Sequence, residues 1–228
     1  IKLSHKYQLV DKPDQRKVHK APIPTLGGIG FFAGFIGIAL IWMILRGRLA
    51  DFVMLGGLVT LFTMGIFDDM LDLRASLKFL IQIGVALIIS YFGFRITTLN
   101  GVFGIYEMPV WAQYAFSVFL ITGLINAFNL IDGIDGLAAS IGIIASLFFG
   151  TWFMLSGDYG YTAMAAALLG SLAVFVFFNM TDGPKKIFMG DTGSLVIGFT
   201  LAVMAIRFNE INATDRTFYN LVSAPSVS

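Results

Sequence analysis

Residues 110–156 read VWAQYAFSVFLITGLINAFNLIDGIDGLAASIGIIASLFFGTWFMLS. Two apolar runs, at about 110–131 and 137–156, are separated by a short hinge carrying Asp132, Gly133, Asp135 and Gly136. Crossing the hydrocarbon core of a bilayer takes ~20 residues of helix, so each run is long enough. Backbone N–H and C=O groups inside lipid must be satisfied within the segment, which selects helices over open strands. A charged side chain at a helix centre costs ~2.5–3.5 kcal/mol on insertion. Asp132 and Asp135, with Asn126 and Asn129 just before them, therefore mark the place where two spans meet at a membrane face. This reading makes the fold an all-α integral membrane protein.

The rest of the chain agrees. Of 228 residues, 57% are hydrophobic and 13% charged, against ~25% charged in soluble domains. The net charge of +1 gives no field for nucleic acid. There is no cysteine, which excludes disulfides, iron–sulfur clusters and thiol catalysis. With His5 and His19 the only histidines, a zinc site is disfavoured. A metal in this chain would take oxygen ligands, which points to magnesium. The chain opens on Ile1, and the polar stretch to Pro24 has no signal-peptide pattern, so an upstream continuation is expected.

Seven apolar runs are read, at about 26–45, 52–67, 77–93, 110–131, 137–156, 161–180 and 193–208. Seven spans put the connections alternately on two sides. The first side holds 1–25, 68–76, 132–136 and 181–192. It carries ten of the 15 Lys and Arg, so the positive-inside rule makes it cytoplasmic. Trp42, Trp111 and Trp152 fall near the other ends of their helices, as an interfacial aromatic belt requires. Nine of the 14 acids also lie on the first side: Asp11, Asp14, Asp68, Asp69, Asp72, Asp132, Asp135, Asp182 and Asp191. Insertion does not explain them, because acids contribute little to topology. The four segments of that side are expected to form one site. A membrane domain over 1–208 and a polar, atypical or disordered tail over 209–228 complete the division.

Each segment has a plain reading and a chemical one. Asp68 and Asp69 end a helix and point ~100° apart; they are a solvated terminus, or two carboxylates of which one abstracts a proton. In NAFNLIDGIDGLA (126–138) the polar residues recur every three positions and the glycines permit a break. That is a polar connection, or a set of ligands for a cation or a sugar; intramembrane acids favour the second. In KKIFMGDTGSLVIGF (185–199), Asp191, Thr192 and Ser194 precede an apolar run. They form an N-cap, or a helix N-terminus that takes phosphate with Asp191 on magnesium. Arg16, Lys17, His19 and Lys20 are juxtamembrane charge, or phosphate contacts. Together the segments fit a magnesium-dependent site where a phosphorylated soluble substrate meets a lipid, a setting for phosphoryl transfer.

With VDKPDQRKVHKAPIPTLGG (10–28), the Asp68–Asp69 pair, NAFNLIDGIDGLA and FMGDTGS (188–194) in this order, the chain resembles the polyprenyl-phosphate N-acetylhexosamine-1-phosphate transferases. The likeness extends from residue 1 to about 207 and is strongest to the branch acting on undecaprenyl phosphate and UDP-N-acetylglucosamine. It implies that N-acetylglucosamine-1-phosphate passes to undecaprenyl phosphate with release of UMP, at the cytoplasmic face of a bacterial inner membrane. It implies Mg²⁺, with Mn²⁺ as a substitute, held by Asp191 with Asn129. It implies Asp68 as the base on the lipid phosphate, Asp69 beside it, and Asp132 and Asp135 lining the nucleotide-sugar site. Lys78, Asn179, Phe188, Arg16 and His19 become substrate contacts, Phe188 stacking on uracil. Neither nucleic acid nor any partner beyond the lipid, the nucleotide sugar, the membrane and a second copy in a homodimer is implied. Such proteins have about ten or eleven helices; the first helix, the last ones and a His-rich loop are expected to be missing here. Phospho-N-acetylmuramoyl-pentapeptide transfer is the runner-up reaction. A transporter, or an inactive membrane fragment, is the alternative of another class. Acids at one end of the spans disfavour a transporter, whose sites lie near the bilayer midplane.

Overall fold

The computed structural model describes residues 10–11, 23–24, 27–46, 49–181, 183 and 185–214. Arg16 and His19 lie outside the described residues. Among these residues seven α-helices follow one another: α1 Gly27–Arg46, α2 Leu49–Leu71, α3 Ala75–Tyr91, α4 Val110–Ile131, α5 Leu137–Leu155, α6 Tyr159–Asn179 and α7 Gly190–Thr214. Ahead of them a two-residue antiparallel bridge pairs Val10 with Pro24 and Asp11 with Ile23. Each expected run is a helix. Five of them, α2 and α4–α7, are long and apolar enough to cross a membrane. α3, at 17 residues, spans ~25 Å at 1.5 Å per residue. α7 runs to Thr214, beyond the apolar run itself.

The helices pack antiparallel in sequence, so the start of α1, the end of α2, the start of α3, the end of α4, the start of α5, the end of α6 and the start of α7 meet at one end. Contacts between those ends establish this: Gly28 N–H donates to Met189 O at 3.1 Å, Asp191 N–H to Asp69 Oδ1 at 2.8 Å, and Gly136 N–H to Asn179 Oδ1 at 2.6 Å. The alternation of ends expected from the seven apolar runs is the alternation of the fold. Trp111 and Trp152 sit toward the other end, at the start of α4 and late in α5. There Arg207 pairs with Asp158 at 2.7 Å.

α7 is the central helix. Leu195, Val196, Ile197, Phe199, Leu201, Ala202, Val203, Met204 and Ile206 are all buried. A helix apolar all round finds its minimum in the middle of a bundle. Lipid tails give no hydrophobic drive for helix association, so close packing must do it. Gly198 supplies that on the α4 side, where any Cβ would lie 2.6 Å from the Ile125 Cα. α2, α1 and α5 pack on the other sides of α7. A central helix whose N-terminus faces six other helix ends is what positions the site.

Candidate active site at the gathered helix ends

α2 ends in Asp68 and Asp69, and the two carboxylates part as neighbouring helical positions must. Asp68 turns to α3. Its Oδ2 lies 2.6 Å from Lys78 Nζ, and its Oδ1 accepts the Leu73 N–H at 2.9 Å. Asp68 is 5% exposed, a burial that an ionised carboxyl tolerates only with such partners. Asp69 turns to α7. It accepts from Asp191 N–H at 2.8 Å, Thr192 N–H at 3.2 Å and Thr192 Oγ1 at 2.6 Å.

Asp69 is thus the N-cap of a helix to which it does not belong. The unpaired N–H groups and the positive dipole end of α7 account for this placement. The sequence offered those N–H groups to phosphate, or to Asp191 or Thr192 as a local cap. The structure gives two of the groups a partner the sequence did not name, Asp69. Local chain shape makes the approach feasible. Gly190 takes φ +70°, and a Cβ there would lie 2.7 Å from Asp69 Oδ2. At Gly65, one turn before Asp69, a Cβ would lie 2.4 Å from the Thr192 Cα.

Asp191 occupies the centre. Its Oδ2 is 3.3 Å from Lys78 Nζ, so one ammonium spans Asp68 and Asp191. Its Oδ1 accepts from Asn129 Nδ2 at 2.6 Å, and the same nitrogen is 3.1 Å from Ser194 Oγ. The carboxylate side chain is 31% exposed, which leaves it open to a ligand. Four residues from four helices, Asp68, Lys78, Asn129 and Asp191, therefore form one hydrogen-bonded cluster.

Asp132 caps the C-terminus of α4 and accepts a bond from Gly190 N–H. Burial, with the nearby Asp191, Asp69 and Asp135 carboxylates, pushes its carboxyl up to about 8. It therefore holds its proton more tightly than an exposed carboxyl and brings less charge to an already acidic site. Asp135 points to more open space and pairs with Lys186 at 2.5 Å. The same ammonium lies 5.7 Å from the Phe188 ring centroid, within reach of a cation–π contact. Asn179 is 4% exposed. Its Oδ1 accepts from Gly136 N–H at 2.6 Å and its Nδ2 donates to Ile187 O at 3.0 Å. It fastens the α4–α5 hinge to the segment before α7. Gly136 takes φ +74°, the break that the hinge requires.

The site residues described thus form two groups, Asp68, Asp69, Lys78, Asn129 and Asp191 in one, and Asp135, Asn179 and Phe188 in the other. Asp132, near Asp191 and Asp135, lies between them. Two further residues join them. Lys186 counts in the sequence only toward topology; its position two residues before Phe188 was the available signal. Gln82, 2% exposed, accepts from Asn126 Nδ2 at 2.6 Å. One turn beyond Lys78 in an apolar helix, it was the only amide in that run. Among the described residues, no three His, Cys, Asp or Glu side chains gather into a closed metal cage. The donor set is instead one or two carboxylates, with an amide whose nitrogen faces Asp191 and whose oxygen takes that place if the amide turns over. That fits magnesium, which keeps several waters and shares substrate phosphates.

Residues 52–209 match the family described as glycosyl transferase family 4. The chain is 33% identical over 206 residues to a probable undecaprenyl-phosphate N-acetylglucosaminyl 1-phosphate transferase of Bacillus subtilis, covering 90% of this chain and 57% of that protein. It is 30% identical over 204 residues to an undecaprenyl-phosphate alpha-N-acetylglucosaminyl 1-phosphate transferase of Escherichia coli K12, covering 88% and 55%. A phospho-N-acetylmuramoyl-pentapeptide-transferase of a Thermoanaerobacter species is 34% identical over 200 residues, covering 83% and 62%. The chain thus spans somewhat over half the length of the curated relatives it matches.

Proposed function

The chain belongs to glycosyl transferase family 4, and from that premise we propose that it transfers a sugar-1-phosphate from a nucleotide sugar to a polyprenyl phosphate. The nucleotide sugar is UDP-N-acetylglucosamine, the acceptor is undecaprenyl phosphate, and UMP leaves. The observation that carries this is the Asp68–Lys78–Asp191–Asn129 cluster, at the ends of membrane-crossing helices, where a lipid phosphate and a soluble nucleotide can meet. The relatives' names support the substrates.

An oxygen of the lipid phosphate attacks the phosphorus that bears the sugar, and the bond from that phosphorus to the bridging oxygen of UMP breaks. Asp68 takes the proton of the attacking phosphate. Lys78, held by two carboxylates, faces the charge of the incoming oxygen. Asp191 and Asn129 would hold Mg²⁺, or Mn²⁺ in its place; turning the Asn129 amide by half a turn presents its oxygen, since the two ends are isosteric. Held there, such an ion would supply positive charge against the diphosphate, and positioning with charge neutralisation carries most of phosphoryl-transfer catalysis. Asp132 and Asp135 line the sugar-nucleotide side. Phe188 offers a face to the base, with Lys186 beside it for phosphate. The same reading places the site at the cytoplasmic face of a bacterial inner membrane, at the first membrane step of cell-surface polysaccharide synthesis, lipopolysaccharide or cell-wall polymer.

The test is Mg²⁺-dependent UMP release from UDP-N-acetylglucosamine and undecaprenyl phosphate in membranes containing the protein. Release that vanishes in Asp191→Ala and in Asp68→Asn is expected. Release unaffected by both substitutions sinks the assignment. The 34% identity to a phospho-N-acetylmuramoyl-pentapeptide-transferase favours one second reading, and UDP-N-acetylmuramoyl-pentapeptide as the competing donor decides between them.

A further inference from the structure

We infer that Gln82 and Asn126 are a positioning pair that sets where Lys78 and Asn129 stand relative to Asp191; the inference rests on the transferase reading and deepens it. Gln82 lies one turn after Lys78 on the same face of α3, and Asn126 one turn before Asn129 on α4, since positions three or four apart share a face. Asn126 Nδ2 donates to Gln82 Oε1 at 2.6 Å and to Thr122 O at 2.7 Å. One turn nearer the membrane face, Asn129 bonds Asp191 at 2.6 Å and Lys78 lies 3.3 Å from the same carboxylate.

The bonds close a triangle. α3 joins α4 through Gln82 and Asn126, α4 joins α7 through Asn129 and Asp191, and α7 joins α3 through Asp191 and Lys78. Among the described residues, Gln82–Asn126 is the one side-chain hydrogen bond between α3 and α4. The other buried residues of α3 are Val85, Ala86, Ile89 and Ser90. Apolar side chains against lipid have little to choose between one register and another, whereas a buried amide oxygen without its donor loses ~1–3 kcal/mol. α3 needs such a tie. It is short, and Leu77, Phe79, Leu80, Leu87 and Ile88 face outward from the bundle. Its main packing partners are α2 and α4. An α3 free to slide would carry Lys78 with it, and a displacement of ~1 Å of a reacting group can reduce rate about 100-fold.

Three variants test this: Gln82→Leu, Gln82→Asn, and the exchanged pair Gln82→Asn with Asn126→Gln. UMP release is measured with kcat and KM separated. Gln82→Leu is expected to lower kcat by ~10–100-fold with KM for the nucleotide sugar changed by less than about threefold. Exchanging the pair restores most of the rate, and Gln82→Asn alone does not. In a Lys78→Met background, Gln82→Leu is expected to add less than about a twofold loss, because the placement of an absent amine no longer matters. A separate readout needs no activity. The chain has no cysteine, so spin labels on Leu80→Cys and Phe119→Cys report the α3–α4 distance in lipid nanodiscs. Gln82→Leu is expected to broaden or shift that distance, and the exchanged pair to return it. A changed distance in a protein that releases no UMP keeps the pair and removes the transferase reading. An unchanged distance and wild-type kcat in Gln82→Leu, or full additivity with Lys78→Met, overturns the pair. If Gln82→Leu does not fold, the exchanged pair against Gln82→Asn gives the same decision.

Discussion

Gly65→Ala puts the packing logic of the site to a direct test. A Cβ at Gly65 would stand 2.4 Å from Thr192 Cα, 2.7 Å from Thr192 N and 3.0 Å from Asp191 C. All three are backbone atoms, so no side chain can swing away. Carbon atoms rest at ~3.5–4.0 Å, so α2 and α7 must separate by about 1 Å. The bonds from Asp191 and Thr192 N–H to Asp69, now 2.8 and 3.2 Å, then stretch to roughly 4 Å, past hydrogen-bonding range. Overpacking costs about 1–3 kcal/mol, and losing bonds to a charged acceptor costs about 1.5–3 kcal/mol more. A destabilisation of about 3–5 kcal/mol is expected, with turnover down by two orders of magnitude or more. Gly56→Ala on the same helix is the control. Nothing lies within 4 Å of its added methyl, so it is expected to gain about 0.5–1 kcal/mol from helix propensity and to leave turnover unchanged. Thermal unfolding in detergent and UMP release are measured on both. Equal stability for the two variants, or normal turnover in Gly65→Ala, would falsify the close backbone approach and the role given to the Asp69 cap.

Lys78→Met leaves Asp68 and Asp191 facing each other without the ammonium between them; a rate loss of about 100-fold or more is expected, and Lys78→Arg is expected not to rescue it, because a planar fork does not replace a point charge. Asn179→Leu strands Gly136 N–H and Ile187 O, so unfolding should come about 1–3 kcal/mol earlier, with a raised KM for the nucleotide sugar read in the same protein. Asp132 holds its proton in the folded protein up to about pH 8, against a usual value of 3.8, so unfolding releases a proton between those values. The contribution of Asp132 to ligand-free stability should therefore be full below pH 4 and be lost as pH rises toward 8, giving a shallower slope between those values in Asp132→Asn; thermal unfolding across that window decides it.

Much of the architecture was legible in the chain because a bilayer is a severe solvent. Seven apolar runs, each with its backbone satisfied internally, leave little beside helices, and their alternation fixes which ends share a side. Chemistry followed the same route: acids that cannot sit in lipid had to lie at the ends of the spans, and Asp68, Asn129, Asp132 and Asp191 were singled out for that reason. Partners were another matter. Asp68 and Asp69 are adjacent in sequence and carry the same side chain, yet one takes Lys78 and the other caps α7. Their directions depend on where α3 and α7 stand, and side-chain period alone does not say. Asn179, which the resemblance makes a nucleotide contact, also staples two connections together, a role the sequence does not show. Gln82 reads as one polar residue in an apolar run and is the tie between α3 and α4. Sequence by itself determined the helices, their alternation and the face that holds the acids, because those follow from the local balance of apolar and polar groups against lipid. Only the tertiary structure decided which carboxylate meets which donor, because those distances depend on backbone approaches, at Gly65, Gly190 and Gly198, between helices more than 60 residues apart in the chain.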